Sequence, residues 1–552
     1  MIKIIVCSFL MGSVVWAAAP DDIAKSSQRA WYDGVDIDAD GSYTDNPGSG
    51  SSMGLWRDKS GNSNDISSSG SHRPVYRIDD PATQRNGVDF DGSDDYLKDN
   101  NDIWNGSVNH SDIFIVSKVD NYTYSFLFSS MVTHDHRLSV HLPWGGTWSA
   151  GTSYYDHGQC CGSPARLYGS ITINTWNHYF WHFVGDGSLS QVILQDGSTK
   201  LSDTNGIDTY NSTGGSFSLA ARTYDGRNNY SGKIYEAIFY QTNLNTAQRR
   251  ILSAYLSAKW QKAFASSATY ADVYSGDGDT SGNGDYDFFV GGIGRESDGT
   301  QIIGTSQGLT ITDNNFLTSD GKYVVAGVDY LTDMPTTGTE SAGWLGDNAT
   351  TDSYEYRASR LWYIDNTGVG GTVNLSFNAA EIGVPINNGA TYGLLCREGS
   401  WGSFHEMTTS VMGSGIVAFQ VLPTDDVCTI GKKKTIAMIS KSSCVIDDPV
   451  NNISNPKRIP GATIRYALEV ENSSSQAITN VIATDEVNST FFNTATITNH
   501  RIGTGNCNCS NPGGTSANGS NGTANGVNPV KLDFGTVNAN STECGYFEVD
   551  IE

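Results

Sequence analysis

Two short strings, FDGSDDYL (Phe90 to Leu97) and GKIYEAIFY (Gly232 to Tyr240), constrain the fold of this chain more than any others. Both alternate apolar and polar residues, the period of two that a strand shows when one face is buried. The second leads into LNTAQRRILSAYLSAKW, where the period changes. Ile251, Leu252, Tyr255, Leu256 and Trp260 recur at helical spacing. Between the two strings lie short β-type segments broken by Gly, Asn, Asp and Ser, the punctuation of an antiparallel sandwich. The expectation is a sandwich framed by these strands and closed by one helix ending near Trp260 to Ala265.

Further strings stand in the same stretch: WYDGVDIDADG (Trp31 to Gly41), LWRDKSGNSND (Leu55 to Asp65), RPVY (Arg73 to Tyr76) and HLPW (His141 to Trp144). With them, residues 25–265 resemble the laminin G-like (LamG) jelly roll of the concanavalin A-like lectin/glucanase superfamily, in the version common in bacterial secreted proteins. That fold hosts lectins, glycosidases and plain adhesion modules, so it implies architecture and not activity. Residues 266–435 carry GGIGRESDG, an RLW strand and TYGLLCREG (Thr391 to Gly399). They resemble a β-domain of unknown function that often follows this jelly roll. Residues 440–552 contain PKRIPGATIRYALEVENSSSQAITNVIATDEV (Pro456 to Val487), similar to the immunoglobulin-like repeat of bacterial surface proteins. Ile464, Tyr466, Leu468 and Val470 alternate there as a half-buried strand does. The expected chain is all-β: an N-terminal antiparallel β-sandwich (jelly roll), a second β-rich domain and a C-terminal Ig-like β-sandwich.

The charge balance narrows the partners. Lys and Arg number 34 against 59 Asp and Glu, a formal net charge of −25. That excludes a general nucleic-acid binder, since phosphate recognition needs clustered cations. Residues 1–19 read as a signal peptide: Lys3, an apolar core from Ile4 to Trp16, then the small residues Ala17, Ala18 and Ala19. No later segment is apolar enough to be expected to span a bilayer, and no C-terminal anchor is visible. Eight cysteines follow the leader, a number suited to disulfides in an oxidising compartment. The last four, Cys444, Cys507, Cys509 and Cys544, allow three pairings, and sequence does not choose among them. Cys160 and Cys161 are adjacent and read either as a local disulfide or as two thiols. Zinc is the rival use of cysteine, but no Cys or His pair has zinc-ligand spacing.

Asp36, Asp38 and Asp40 stand at every second position, followed by Gly41. Such a turn can wrap oxygens around a hard cation, with the Ser42 carbonyl and Thr44 or Asp45 completing the shell. Pro47 stands where an EF-hand would place its bidentate Glu, so the expectation is a weaker extracellular Ca²⁺ loop with a structural role; a solvated acidic turn is the plain alternative. Asp277, Asp279, Asp285 and Asp287 form a second, less regular acidic turn. Asp91, Asp94 and Asp95 read as Asx-type turn residues.

Ligand recognition is expected between the framing strings, where His141, Trp144, Trp148, Tyr154, Tyr155 and Asp156 fall together with His134, His136, His157, Arg137 and Arg166. Sugars are bound by aromatic faces with amides, carboxylates and Arg beside them, and the same aromatics can equally serve as core. Glucanases of the superfamily use paired carboxylates. The single Glu-x-Asp-x-Glu string, Glu548 to Glu552, lies at the chain terminus where strand alternation already explains it, and Glu236 has no visible partner. The expectation is therefore a non-catalytic secreted or cell-surface binding or adhesion protein. Its partner would be a glycan or an extracellular protein, bound through the first domain with Ca²⁺ assistance. The alternatives are a structural envelope or matrix protein without a small ligand and, behind it, a glycoside hydrolase.

Overall fold

The computed structural model describes residues 18–43, 45–80, 85–147, 150–160, 166–174, 177–186, 190–204, 207–264, 267–276, 286–329, 339–341, 354–398, 404–433, 437–472, 477–505, 507–517 and 523–552. The architecture is all-β, built from antiparallel sheets. The expected leader lies outside the described residues except for its last two alanines.

Two sheets make the N-terminal sandwich. The first has the strands Ser198–Asp203, Ser190–Gln195, His178–Asp186, His110–Val119, Ser231–Tyr240, Arg85–Asp91 and Val75–Asp80 in that order, and Gln28–Asp33 also pairs with Ser231–Tyr240. The second contains Ala150–Gln159, His136–His141, Phe128–Met131, Ser216–Leu219 and Leu97–Asp99 as neighbours, with Arg166–Ile171 beside Ala150–Gln159. Between the sheets lie Tyr32, Trp56, Phe90, Ile115, Phe128, Val140, Trp181, Phe183 and Phe239. The string Gly232 to Tyr240 is a strand of the first sheet, whereas Phe90 to Leu97 is not one strand. Phe90 and Asp91 end Arg85–Asp91, where Phe90 pairs with Gly232, Gly92 turns the chain, and Leu97 begins a strand of the second sheet.

The first sheet is buried on both faces. Ile113, Ile115, Ala237 and Phe239 point into the sandwich, while their alternates Phe114, Val116, Ile238 and Tyr240 point out against the helix Thr246–Trp260. This is why YEAIFY is nearly continuously apolar. The helix starts with a capping box: Gln248 N donates to Asn245 Oδ1 at 2.9 Å, and Asn245 N donates to Gln248 Oε1 at 3.1 Å. It ends at Gln261, whose φ of 46° is left-handed. Nearly every side of it is buried, because a second unit covers the face the first sheet leaves open.

That second unit sets a sheet containing Phe288–Glu296, Lys322–Val328, Trp362–Thr367, Asp426–Lys433 and Thr391–Arg397 against a four-stranded sheet. Its core residues Phe289, Val290, Ile293 and Trp362 are continuous with Tyr255, Leu256 and Trp260 of the helix. Asp298 accepts bonds from the Thr246 amide and hydroxyl, both at 2.9 Å, at the positive end of the helix. A disulfide joins the facing residues Cys396 and Cys428.

In the C-terminal unit, a five-stranded sheet of Ala437–Asp447, Thr463–Asn472, Ser541–Ile551, Phe492–Thr504 and Thr515–Ser516 faces the pair Ile478–Asp485 and Val530–Val537. Of the three open pairings, the structure takes Cys444 with Cys509 and Cys507 with Cys544. Both tie the polar loop after Thr504 to the sheet. Among the described residues, no helix is long and apolar enough to cross a membrane.

Candidate functional site

The outer face of the second sheet gathers most of the expected ligand residues. On His136–His141, Leu138 and Val140 enter the core, which turns Arg137, Ser139 and His141 to the other face. Antiparallel register then sets Tyr154 opposite His141 and Asp156 opposite Ser139. One strand further, Tyr168 stands opposite Tyr154 and Arg166 opposite Asp156.

Asp156 organises this face. Its carboxylate is fully buried and accepts Arg137 Nε at 2.8 Å and Arg166 Nη2 at 3.0 Å; Arg166 Nε reaches its other oxygen. His141 Nε2 lies 3.2 Å from Asp156 Oδ2 and 3.3 Å from Arg137 Nη2. Burial alone would raise the Asp156 carboxyl, but the bonds from His141 and Arg166 and the charge of Arg137 hold it well below the usual carboxylate range. Burial pushes His141 down to about 4, against the pull of Asp156, so the ring is neutral at pH 7. A buried charge held this way fixes geometry.

Aromatic rings surround the charge cluster. Trp144 stands edge-on to His141 at 4.5 Å, and Phe126 lies 4.0 Å from the same ring. Tyr154 stacks with Tyr168 at 5.7 Å, and the Arg166 guanidinium sits 4.7 Å from the centre of the Tyr154 ring. Tyr168 is 65 % exposed and Tyr124, which packs on Trp144, is 61 % exposed; Trp144 and Tyr154 are half-buried. Open aromatic faces beside an anchored guanidinium suit a polyhydroxylated ring with C–H-rich faces.

Not every expected residue joins this face. Tyr155 is the correction: alternation turns it inward, where it is fully buried in the sandwich core and its hydroxyl meets Ser111 at 2.7 Å. His157 is also buried, with its Nδ1 3.1 Å from the Asp208 carbonyl. His134 lies at the exposed turn beside Asp135, and His136 takes the Asn211 amide at 2.9 Å. Trp148 lies outside the described residues. Tyr124 and Tyr168 went unnoticed in the sequence, although the Arg166-x-Tyr168 spacing carries the same period-2 signal.

The acidic loop lies elsewhere. Ligand oxygens of Asp36, Asp38 and Asp40 come within 4.8 Å of one another. The turn is shaped by Ala39 and Gly41 in the left-handed region, with φ of 56° and 87°. Asn46 clamps it, accepting the Ile37 amide at 3.0 Å and donating to the Val35 carbonyl at 2.6 Å. Asp36 is buried and pairs with Lys59 Nζ at 2.6 Å, while Asp40 Oδ1 accepts the Ser42 amide at 2.7 Å. The Gly41 backbone amide also bonds Asp36. Desolvation, then the charges of Asp40, Asp45 and Asp36, raise the Asp38 carboxyl, a repulsion that a divalent ion relieves. The donor set fits Ca²⁺ chemistry. Asp45 is exposed, Ser42 is partly buried, and Thr44 lies outside the described residues.

Glu236 has the partners its sequence context did not reveal. Oε1 accepts Trp31 Nε1 at 2.7 Å and the Tyr255 hydroxyl at 2.8 Å; Oε2 accepts Trp260 Nε1 at 2.7 Å and lies 3.0 Å from Lys259 Nζ. Lys259 also pairs with Asp33 at 2.7 Å. This fully bonded, buried acid ties the helix to the first sheet. At the C-terminus, Glu548 accepts Arg465 Nε at 2.8 Å and Asp550 accepts the Thr463 hydroxyl at 2.7 Å across neighbouring strands. Of the second acidic turn only Asp287 is described, buried and accepting Gln261 Nε2 at 3.0 Å. Asp91 Oδ1 accepts the Ser93 amide at 2.7 Å, and Asp95 Oδ2 the Asp91 amide at 3.0 Å.

No family model matches this chain, and no curated protein matches it. Solved structures that resemble it include domain 4 of the extracellular arabinanase AbnA from Geobacillus stearothermophilus, in complex with arabinotriose. It has 19 % identity and a TM-score of 0.25, and the match covers 40 % of this chain and 94 % of that one. A pentraxin from Limulus polyphemus has 14 % identity over 30 % of this chain and 81 % of its own, with a TM-score of 0.23. The sialidase carbohydrate-binding module of Ruminococcus gnavus, bound to α2,3 sialyllactose, has 10 % identity over 25 % of this chain and 78 % of its own, with a TM-score of 0.20.

Proposed function

We propose that this chain is a non-catalytic, secreted or cell-surface binding protein that recognises a glycan on the outer face of its second sheet, in a LamG-like first domain. One observation carries the reading: the exposed Tyr168 and the half-buried Trp144 flank Tyr154, whose ring lies against a guanidinium that a buried carboxylate holds in place. The three disulfides whose cysteines are both among the described residues, together with the disulfide-bonded Cys160, fit an extracellular setting. The non-catalytic reading is supported by where the acids lie. Asp156 is spent on two arginines, and Glu236 is enclosed in the seam with its oxygens bonded. A retaining or inverting pair would need two carboxyls about 5–10 Å apart on an open cleft.

Calcium is proposed as a brace held by Asp36, Asp38 and Asp40. Tyr43, five residues after Asp38, packs against Phe289 of the second unit, so a cation there stiffens the seam between units and leaves the aromatic face alone. The second reading is a structural envelope protein, favoured by the apolar core that the first two units share.

A glycan array probed with the full chain tests the choice. Saturable binding that falls at least tenfold in Tyr168→Ala and Tyr154→Ala supports recognition on this face. An empty array, with and without calcium, supports the structural reading instead.

A further inference from the structure

We propose that the aromatic face of the second sheet selects a sugar residue that bears a carboxylate, and that Arg166 is the group that recognises it. The inference rests on the glycan reading above and adds the charge of the ligand. Two guanidiniums, Arg137 and Arg166, converge on the single carboxylate of Asp156, while His141 beside them is neutral, so this spot carries surplus positive charge in a chain whose formal net charge is −25. The other acid felt nearby, Asp135, is exposed and acts on Arg137 at the turn where Arg137 Nη1 donates to the His134 carbonyl.

The two arginines are not equivalent. Arg137 is 3 % exposed and has all three of its nitrogens engaged, Nε and Nη2 on Asp156 and Nη1 on the His134 carbonyl. Arg166 is 18 % exposed and gives Asp156 only Nε and Nη2; among the described residues Nη1 has no hydrogen-bond acceptor. Asp156 on one edge and the Tyr154 ring beneath fix the plane of the guanidinium, which spares most of the ordering entropy that a free Arg loses on binding. A carboxylate is the group that a planar fork of N–H donors fits.

Position supplies the sugar. Tyr168 is two residues along the same strand and on the same face as Arg166, about 7 Å away by strand geometry. That spacing matches one pyranose ring stacked on Tyr168 with its exocyclic carboxylate directed to Arg166. Uronic acids and sialic acids share this chemistry.

Calorimetry of the full chain with matched pairs tests it: sialyllactose against lactose, and trigalacturonate against its methyl ester. At least one acidic member should bind ten- to a hundredfold more tightly than its neutral counterpart, the size of one charge-assisted pair. The preference should shrink with added salt. Arg166→Gln should bring acid and neutral forms to parity, and Arg166→Lys should keep part of the preference. The wild-type salt dependence reads the same interaction without a substitution, should Arg166→Gln unfold the sheet edge. Neutral sugars bound as tightly as their acids overturn the inference and leave the glycan reading standing. No binding by these sugars or on the wider array overturns both.

Discussion

The ring of Tyr43 stands edge-on to Phe289, with centroids 5.6 Å apart, and so joins the acidic loop of the first unit to the sheet of the second. Lys59 binds the same region from behind. Its ammonium lies 2.6 Å from Asp36, 3.3 Å from Asp33 and 3.2 Å from the Tyr43 hydroxyl, and 4.8 Å from the centre of the Trp31 ring. The loop therefore bears on the seam.

Calcium should change stability and not glycan affinity. At a hundredfold excess over Kd, a ligand specific to the folded state adds about 2.7 kcal/mol, or roughly 5–10 °C in Tm for units of this size. Differential scanning calorimetry with calcium and with chelator measures it. Asp38→Asn combined with Asp40→Asn should remove the shift. A Tm that ignores calcium would demote the loop to an ordinary acidic turn.

The first unit should not be stable alone. A chain cut after residue 264 keeps the helix Thr246–Trp260 but strips away Phe289, Val290 and Ile293, with which its core is continuous, and the Asp298 carboxylate at its N-terminus. Each exposed large apolar side chain costs roughly 1.5–3 kcal/mol. The expected fragment melts at least 10 °C below a chain ending at 433 and binds a hydrophobic dye. Equal melting of the two would show that the shared core contributes nothing to the sandwich.

Much of this was readable from the sequence, for reasons tied to particular residues. The period-2 string Gly232 to Tyr240 gave a framing strand and the change of period after it gave the helix, whereas Phe90 to Leu97 is a turn between the two sheets, as its Gly92 and its three Asp residues allow. Periodicity does not say how many neighbours an element has. The apolar run Ala237 to Tyr240 and a helix apolar nearly all round were the available sign that a second unit covers the first. Face assignment failed at Tyr155, because adjacent aromatics on a strand must point oppositely and the string TSYYDHG does not show which goes inward. Only register with His141 and Val140 decides that. The partners of Glu236 come from Trp31, Tyr255, Lys259 and Trp260, and the first of these is 205 residues away in sequence. No local pattern predicts such a contact.

Removing the carboxylate at the centre of the site should be severe. In Asp156→Ala, Arg137 stays 3 % exposed with no anion opposite it, and an uncompensated buried charge costs about 3–5 kcal/mol. Asp156→Asn keeps the shape and should cost less. Urea unfolding of both variants checks this. A loss below about 1 kcal/mol for the alanine variant would mean that the cluster is wetter than its burial implies.

The pH response follows from His141. Its folded-state pKa is pushed down to about 4 from an ordinary 6.5, so between those values the unfolded chain takes up a proton that the folded chain refuses. Stability linked to this residue is complete above pH 6.5 and declines as pH falls toward 4, by about 1.4 kcal/mol per unit and on the order of 3 kcal/mol in all. His141→Gln should flatten that limb of the stability curve by one proton. Ligand affinity behaves differently, because between pH 5 and 8 the folded site changes charge at neither His141 nor Asp156, whose carboxyl is held lower still. A glycan titration across that range should give a flat Kd for a neutral sugar. A Kd that changes tenfold near pH 6.5 would mean that His141 is protonated in the folded protein, and that Asp156 outweighs burial at this ring.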